Sequence, residues 1–149
     1  MAKNVADWQK FPATIENYDQ IKDYIIVAAE QAGISARRRL KLELGFEEVI
    51  INVINYAYES EGDIFIRCSN DEKIFSLDIV DYGTPFNPIK KNDARTLDKS
   101  AIEDRKIGGF GIAFMKKVFA EEIYRRENFF GKSANHLHLV FNKISQPTD

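Results

Sequence analysis

Three short segments carry residue types whose spacing could do chemistry. Glu48, Asn52 and Asn55 fall at i, i+4 and i+7 within a stretch of helical periodicity, so a carboxylate and two amides share one edge of a helix. Oxygen ligands on one edge suit a hard cation such as Mg2+, and a carboxylate there can take the proton of a hydroxyl or water nucleophile. Asp81-Tyr82-Gly83 ends an alternating apolar run and is followed at once by Pro85-Phe86-Asn87-Pro88. An Asp at a strand end can accept a hydrogen bond from an exocyclic amine, and a glycine beside it admits a flat ring close to the backbone. Gly108-Gly109-Phe110-Gly111 opens onto Ile112, Ala113, Met115, Val118 and Phe119 at helical spacing. Backbone N–H groups at a helix start, aligned with its dipole, favour a phosphate. Each segment also has an ordinary reading: a solvent-facing stripe, a Gly-Pro turn, a glycine-rich helix entry.

The elements that must position these segments follow from hydrophobic periodicity. Phe11 to Ile15 predicts a short strand, and Ile21, Tyr24, Ile25 and Ala28 predict a helix after Asn17 that stops at Gly33. Ser35 is a natural N-cap for a second helix running toward Tyr58. From Leu40 onward that helix is apolar almost all round, which predicts extensive burial, with one polar stripe of Lys41, Gly45, Glu48, Asn52, Asn55 and Glu59. Ile64, Ile66 and Cys68, then Phe75, Leu77 and Ile79, alternate with other residues as neighbouring antiparallel strands joined around Asn70-Asp71. From Asn87 to Lys106 the chain is polar and carries Lys90, Lys91, Arg95, Lys99 and Arg105. A loop of that length is commonly either a functional lid or a disordered, solvated segment, and Arg105, nearest the glycines, is the best placed of its cations to reach a phosphate or a partner. Two strand-like runs, Glu122–Arg126 and Leu137–Phe141, close the chain. Paired strands with helices before and between them predict a two-layer α/β sandwich, with helices covering one sheet face.

The 149 residues, 44% hydrophobic and 30% charged, read as one domain over residues 1–149 with a core that needs no disulfide or metal staple. Lys+Arg at 21 against Asp+Glu at 23 gives a net charge of −2, which argues against direct nucleic-acid binding. Cys68 is the single cysteine, and with only His136 and His138 beside it no zinc-ligand pattern exists. The two histidines share one face of the last strand and read as surface or half-buried residues. No apolar run reaches membrane-spanning length, and Met1 to Lys10 lacks an apolar leader region, so the expectation is a cytoplasmic protein with no membrane contact. Arg37-Arg38-Arg39 stands in a first helical turn, where cations oppose the dipole by about 0.3–1 kcal/mol each. A partner-facing basic patch is one reading of that run, and an ordinary exposed cluster is the other.

Taken in order, an acid-plus-amide helix, an Asp-x-Gly after a strand, and a basic lid ending in Gly-Gly-x-Gly resemble the N, G1 and G2 boxes of the GHKL (Bergerat-fold) ATP-binding superfamily. Within it the chain is similar to the small anti-sigma factor serine/threonine kinases. The resemblance runs from Phe11-Pro12-Ala13 through Glu48–Tyr58, Asp81–Pro88 and Gly108–Met115 to Asn135–Leu139. It implies a mixed, mainly antiparallel sheet with helices on one face, an ATP lid over 87–107, and ATP and Mg2+ as cofactors. Residue by residue it implies Glu48 as catalytic base, Asn52 as Mg2+ ligand, Asp81 as acceptor of the adenine amine and Gly83 as the base-approach glycine. Gly109 and Gly111 become the phosphate cradle, and Asn55, Phe86, Arg105, Gly108 and Phe110 complete the nucleotide site. The Glu-x-x-x-Asn spacing selects Glu48 over Glu47. The chain departs from the family at Tyr56, often His, and at Asn87, often Asp.

The activity implied is that of an anti-sigma factor that phosphorylates an anti-anti-sigma (STAS-type) protein and sequesters a sigma factor, with homodimerisation common in the family. A nucleotide-gated binding module without phosphoryl transfer is the alternative. A detached histidine-kinase catalytic domain fits less well, because the sequence holds no helical hairpin bearing a phospho-acceptor histidine.

Overall fold

The computed structural model describes residues 8–89 and 118–144. Strand β1 (Gln9–Pro12) leads through a 3-10 turn at Ile15–Asn17 into helix α1 (Tyr18–Gln31). The predicted strand therefore begins earlier and ends before Ile15. Helix α1 stops where expected: Gly33 takes φ 86°, its N–H donates to Glu30 O at 3.0 Å, and Ile34 N–H donates to Ala29 O at 3.1 Å. This is the paired-bond helix ending that a left-handed glycine permits, with Ile34 buried beneath it. Ser35 Oγ then accepts the Arg38 N–H at 3.3 Å and caps helix α2 (Ala36–Tyr56).

Helix α2 buries Leu42, Phe46, Val49, Ile50 and Val53, one stripe at helical period. The expectation of burial nearly all round is corrected here: Leu40 is 59% exposed and Leu44 45%. A helix lying on one layer has only one face against it. The polar stripe is also interrupted, because Gly45 is buried and a Cβ there would come within 2.8 Å of Val118 Cγ1. Nor is the arginine run a single patch. Arg38 is buried, donates through Nη2 to the Asn142 carbonyl and lies 4.6 Å over the Phe141 ring. Arg39 donates to the Ile34 carbonyl and pairs with Glu30 at 3.9 Å. Arg37 alone of the three is exposed, so the middle cation is spent on tying α2 to the end of the sheet.

Strands β2 (Asp63–Asn70), β3 (Ile74–Asp81), β4 (Glu121–Phe129) and β5 (Lys132–Asn142) join β1 in one sheet of order β1-β2-β3-β5-β4. Every pairing in it is antiparallel, so the expected mixed sheet is fully antiparallel among the described residues. The β2–β3 turn falls at the expected place, where Asp71 Oδ1 accepts the N–H groups of Lys73 and Ile74 at 2.8 and 2.9 Å. Ile64, Ile66, Leu77, Ile79, Leu137, Leu139 and Phe141 form one core with the buried residues of α1 and α2. Among the described residues the α/β sandwich is thus two helices on one sheet, and most of the helix expected after Gly111 lies outside them.

The strand residues of opposite phase build a polar cluster around Asp78, only 2% exposed. His136 Nε2 and His138 Nδ1 lie 2.7 and 2.8 Å from its Oδ1, Arg67 lies 3.4 Å from Oδ2, and Glu127 holds the other nitrogen of His136. Trp8 covers the group, 4.4 Å from the Arg67 guanidinium and edge-on to His136. Burial alone would raise the Asp78 carboxyl, but hydrogen bonds from both histidines and the charges of His138 and Arg67 hold it well below the usual range. Burial would lower His136, yet its bonds to Asp78 and Glu127 prevail and raise it above the ordinary histidine value. A histidine raised on folding stabilises fully below about pH 6.5, and that stabilisation is lost as pH climbs through the raised value. The melting temperature is therefore expected to fall as pH rises above about 6.5, by roughly 2–4 °C for each kcal/mol of stabilisation lost. His136→Gln is expected to flatten that slope in thermal melts.

Candidate functional site

A narrow cleft, open to solvent, lies between α2 and the sheet. Its walls are apolar: Val49 and Val53 from α2, Ile79 from β3, Leu137 from β5, and Phe86 and Pro88 from the segment after β3. Among the described residues, Asn52, Asp81, Tyr124 and Asn135 bring polar groups into it. Alternation along β3 puts Asp81 in phase with Leu77 and Ile79, so the strand delivers a carboxylate to the helix-facing side at its last residue. Asp81 is 3% exposed, and its Oδ1 accepts the Gly83 N–H at 2.8 Å and the Asn135 amide at 2.9 Å.

The turn after Asp81 is clamped on several sides. Tyr58 donates its hydroxyl to Asp63 O at 2.6 Å and accepts the Tyr82 N–H at 2.8 Å, fastening the end of α2 to the exit of β3. Arg126 Nη1 donates to Gly83 O at 2.8 Å. A Cβ at Gly83 would stand 2.3 Å from the Ala57 carbonyl oxygen, so close approach of the turn to the helix end explains the glycine. Asn87 Oδ1 accepts the Ile89 N–H at 2.9 Å and shapes its own loop.

Of the residues singled out from the sequence, Asn52, Asp81 and Phe86 converge on the cleft. Glu48 lies half-buried one turn before Asn52 and is not part of the lining; burial first, and then the Glu47 carboxylate, raise its pKa. Asn55 is exposed one turn beyond, and Gly83 packs against Ala57. Arg105, Gly108, Gly109, Phe110, Gly111 and residues 90–107 of the expected lid lie outside the described residues. Tyr124 and Asn135 join the cleft without having been named as site residues from the sequence, Asn135 only as the start of the closing strand of the resemblance. The available signal for Asn135 is its phase, since it stands on the same side of β5 as Leu137, Leu139 and Phe141.

An anionic acceptor at the wall of a narrow apolar cleft suits a flat heterocycle bearing an amine. The amide of Asn52 at the same cleft is a hard-cation donor of the kind Mg2+ uses beside substrate phosphates. Among the described residues no group of His, Cys, Asp or Glu is arranged to hold a metal, and no helix is long and apolar enough to cross a membrane.

Compared with known proteins, residues 11–141 match the family model of the histidine kinase-like ATPase domain. No curated protein matches the chain. The matched span takes in α1, α2, all but the beginning of β1, and every described residue that lines the cleft. The chain therefore belongs to the histidine kinase-like ATPase domain family.

Proposed function

We propose that the chain binds ATP with Mg2+ in this cleft, transfers the γ-phosphoryl group to a serine or threonine of an anti-anti-sigma (STAS-type) protein, and sequesters a sigma factor that competes with that protein for the chain. The observation that carries the reading is the buried Asp81 carboxylate on an apolar cleft, in a chain of an ATPase-domain family. In this reading Asp81 receives the adenine amine, while Val49, Val53, Ile79 and Phe86 exclude water from the ring. Asn52, with Asn55 nearby, would hold Mg2+, which when bound neutralises phosphate charge. Glu48 takes the proton of the attacking hydroxyl, a task suited to a carboxylate whose basicity is raised by burial. By the family resemblance, residues 87–107 with Arg105 are the ATP lid, Gly109 and Gly111 the phosphate cradle, and Gly108 and Phe110 further nucleotide contacts. Positioning and electrostatics supply most of such catalysis.

The test is to incubate the protein with Mg2+, γ-labelled ATP and a STAS-domain protein. The expected result is acid-stable label on a serine or threonine of that partner. ATP-dependent association with no label would favour the nucleotide-gated binding module instead, and acid-labile label would point to histidine as acceptor.

A further inference from the structure

Asn135 is 4% exposed and stands directly opposite Asp81 in the β3–β5 register. Its neighbours dictate which way its amide points. The Phe86 N–H at 3.1 Å and the Tyr124 hydroxyl both need an acceptor, so both meet Oδ1. Nδ2 must then face acceptors, and it does: Asp81 Oδ1 at 2.9 Å, Thr84 O at 2.9 Å and Gly83 O at 3.5 Å. One side chain thus holds both the carboxylate and the 83–86 turn.

We propose that Asn135 is a positioning residue that sets the base preference of the cleft, making Asp81 an oriented acceptor for a purine carrying a 6-amino group. The inference rests on the nucleotide reading above and adds to it the origin of selectivity. Two N–H donors on Oδ1, from Gly83 and Asn135, fix the plane of the carboxylate. A carboxylate can only accept. An amine edge is then matched, and the carbonyl edge of hypoxanthine meets a like partner, so selectivity arises from repulsion as much as from attraction. Without a donor at position 135 the carboxylate loses one of the two N–H groups that orient Oδ1, and the Gly83 N–H remains.

The experiment compares ADP and inosine diphosphate by calorimetry for wild type, Asn135→Asp and Asn135→Ala, with thermal melts alongside. Asn135→Asp keeps the size and the acceptor for Phe86 N–H and Tyr124 but removes the donor to Asp81. Asn135→Ala removes both halves without creating a carboxylate pair, and keeps the question answerable if the first variant does not fold. The expected result is that the wild type prefers ADP and that each folded variant loses at least about tenfold in ADP affinity, with a narrowed ADP to inosine diphosphate ratio. Folded variants with the wild-type ratio, whether affinity holds or drops equally for both nucleotides, would overturn the proposal and leave nucleotide binding intact. A wild type that binds neither nucleotide would overturn the underlying reading, and this one with it.

Discussion

Asp81→Asn is expected to lower affinity for ADP and ATP on the order of 100-fold while moving the melting temperature little. The atom that the new amide must show to the cleft decides the effect. Gly83 N–H and the Asn135 amide both donate to Oδ1, so the substituted side chain must turn its oxygen to them. Its NH2 group then stands where the second carboxylate oxygen was. A donor there faces the donor of an adenine amine, so a charge-assisted bond worth about 1.5–3 kcal/mol is replaced by repulsion. The bonds from Gly83 and Asn135 survive, which is why the expected change in stability is small. Hypoxanthine, which presents a carbonyl at that position, should lose far less than adenine. Calorimetry on both nucleotides checks this, and unchanged ADP affinity in a folded Asp81→Asn protein would mean that the base does not rest on Asp81.

Local signals made the ends of the helices and the first hairpin legible. Gly33, Ser35 and Asp71 act within a few residues of themselves, through bonds that any chain with those residues can make. Asp81 and Asn52 were legible for a similar reason, since a strand end and a helix edge are properties of one element each. Contacts between distant elements were not. Alternation along a strand says which side chains share a face, but not that β5 inserts between β3 and β4. Arg38 looks like one of three equivalent cations until the Asn142 carbonyl, 104 residues on, arrives beside it. Asn135 has no meaning as a clamp until the register sets it across from Asp81, 54 residues earlier. The polar stripe on α2 specifies only part of the geometry. A shared edge specifies rotation about the helix axis, whereas the cleft is also bounded along that axis, so Asn52 lies within it and Glu48 and Asn55 fall a turn to either side.

The position of Glu48 leads to the sharpest separation of binding from chemistry. Glu48→Gln is expected to leave ADP affinity within about threefold of wild type, because the residue is outside the lining, and to reduce phosphoryl transfer by about 10²–10⁴-fold. Glutamine preserves the size and most of the packing but cannot take a proton. Burial, followed by the Glu47 carboxylate, raises the pKa of Glu48, so the wild-type rate should rise with pH through an acid limb set above the ordinary glutamate range. Glu47 itself is exposed, so Glu47→Gln is a mild comparator. Removing its charge should move that limb to lower pH with little change in the plateau rate, since the smaller of the two raising influences is gone and burial remains. A pH–rate profile of the three proteins, read beside their ADP affinities, tests both statements. Full transfer by Glu48→Gln would remove Glu48 as the base. Loss of ADP binding in that variant would instead place the side chain in the nucleotide site. An unmoved acid limb in Glu47→Gln would assign the limb to a group other than Glu48.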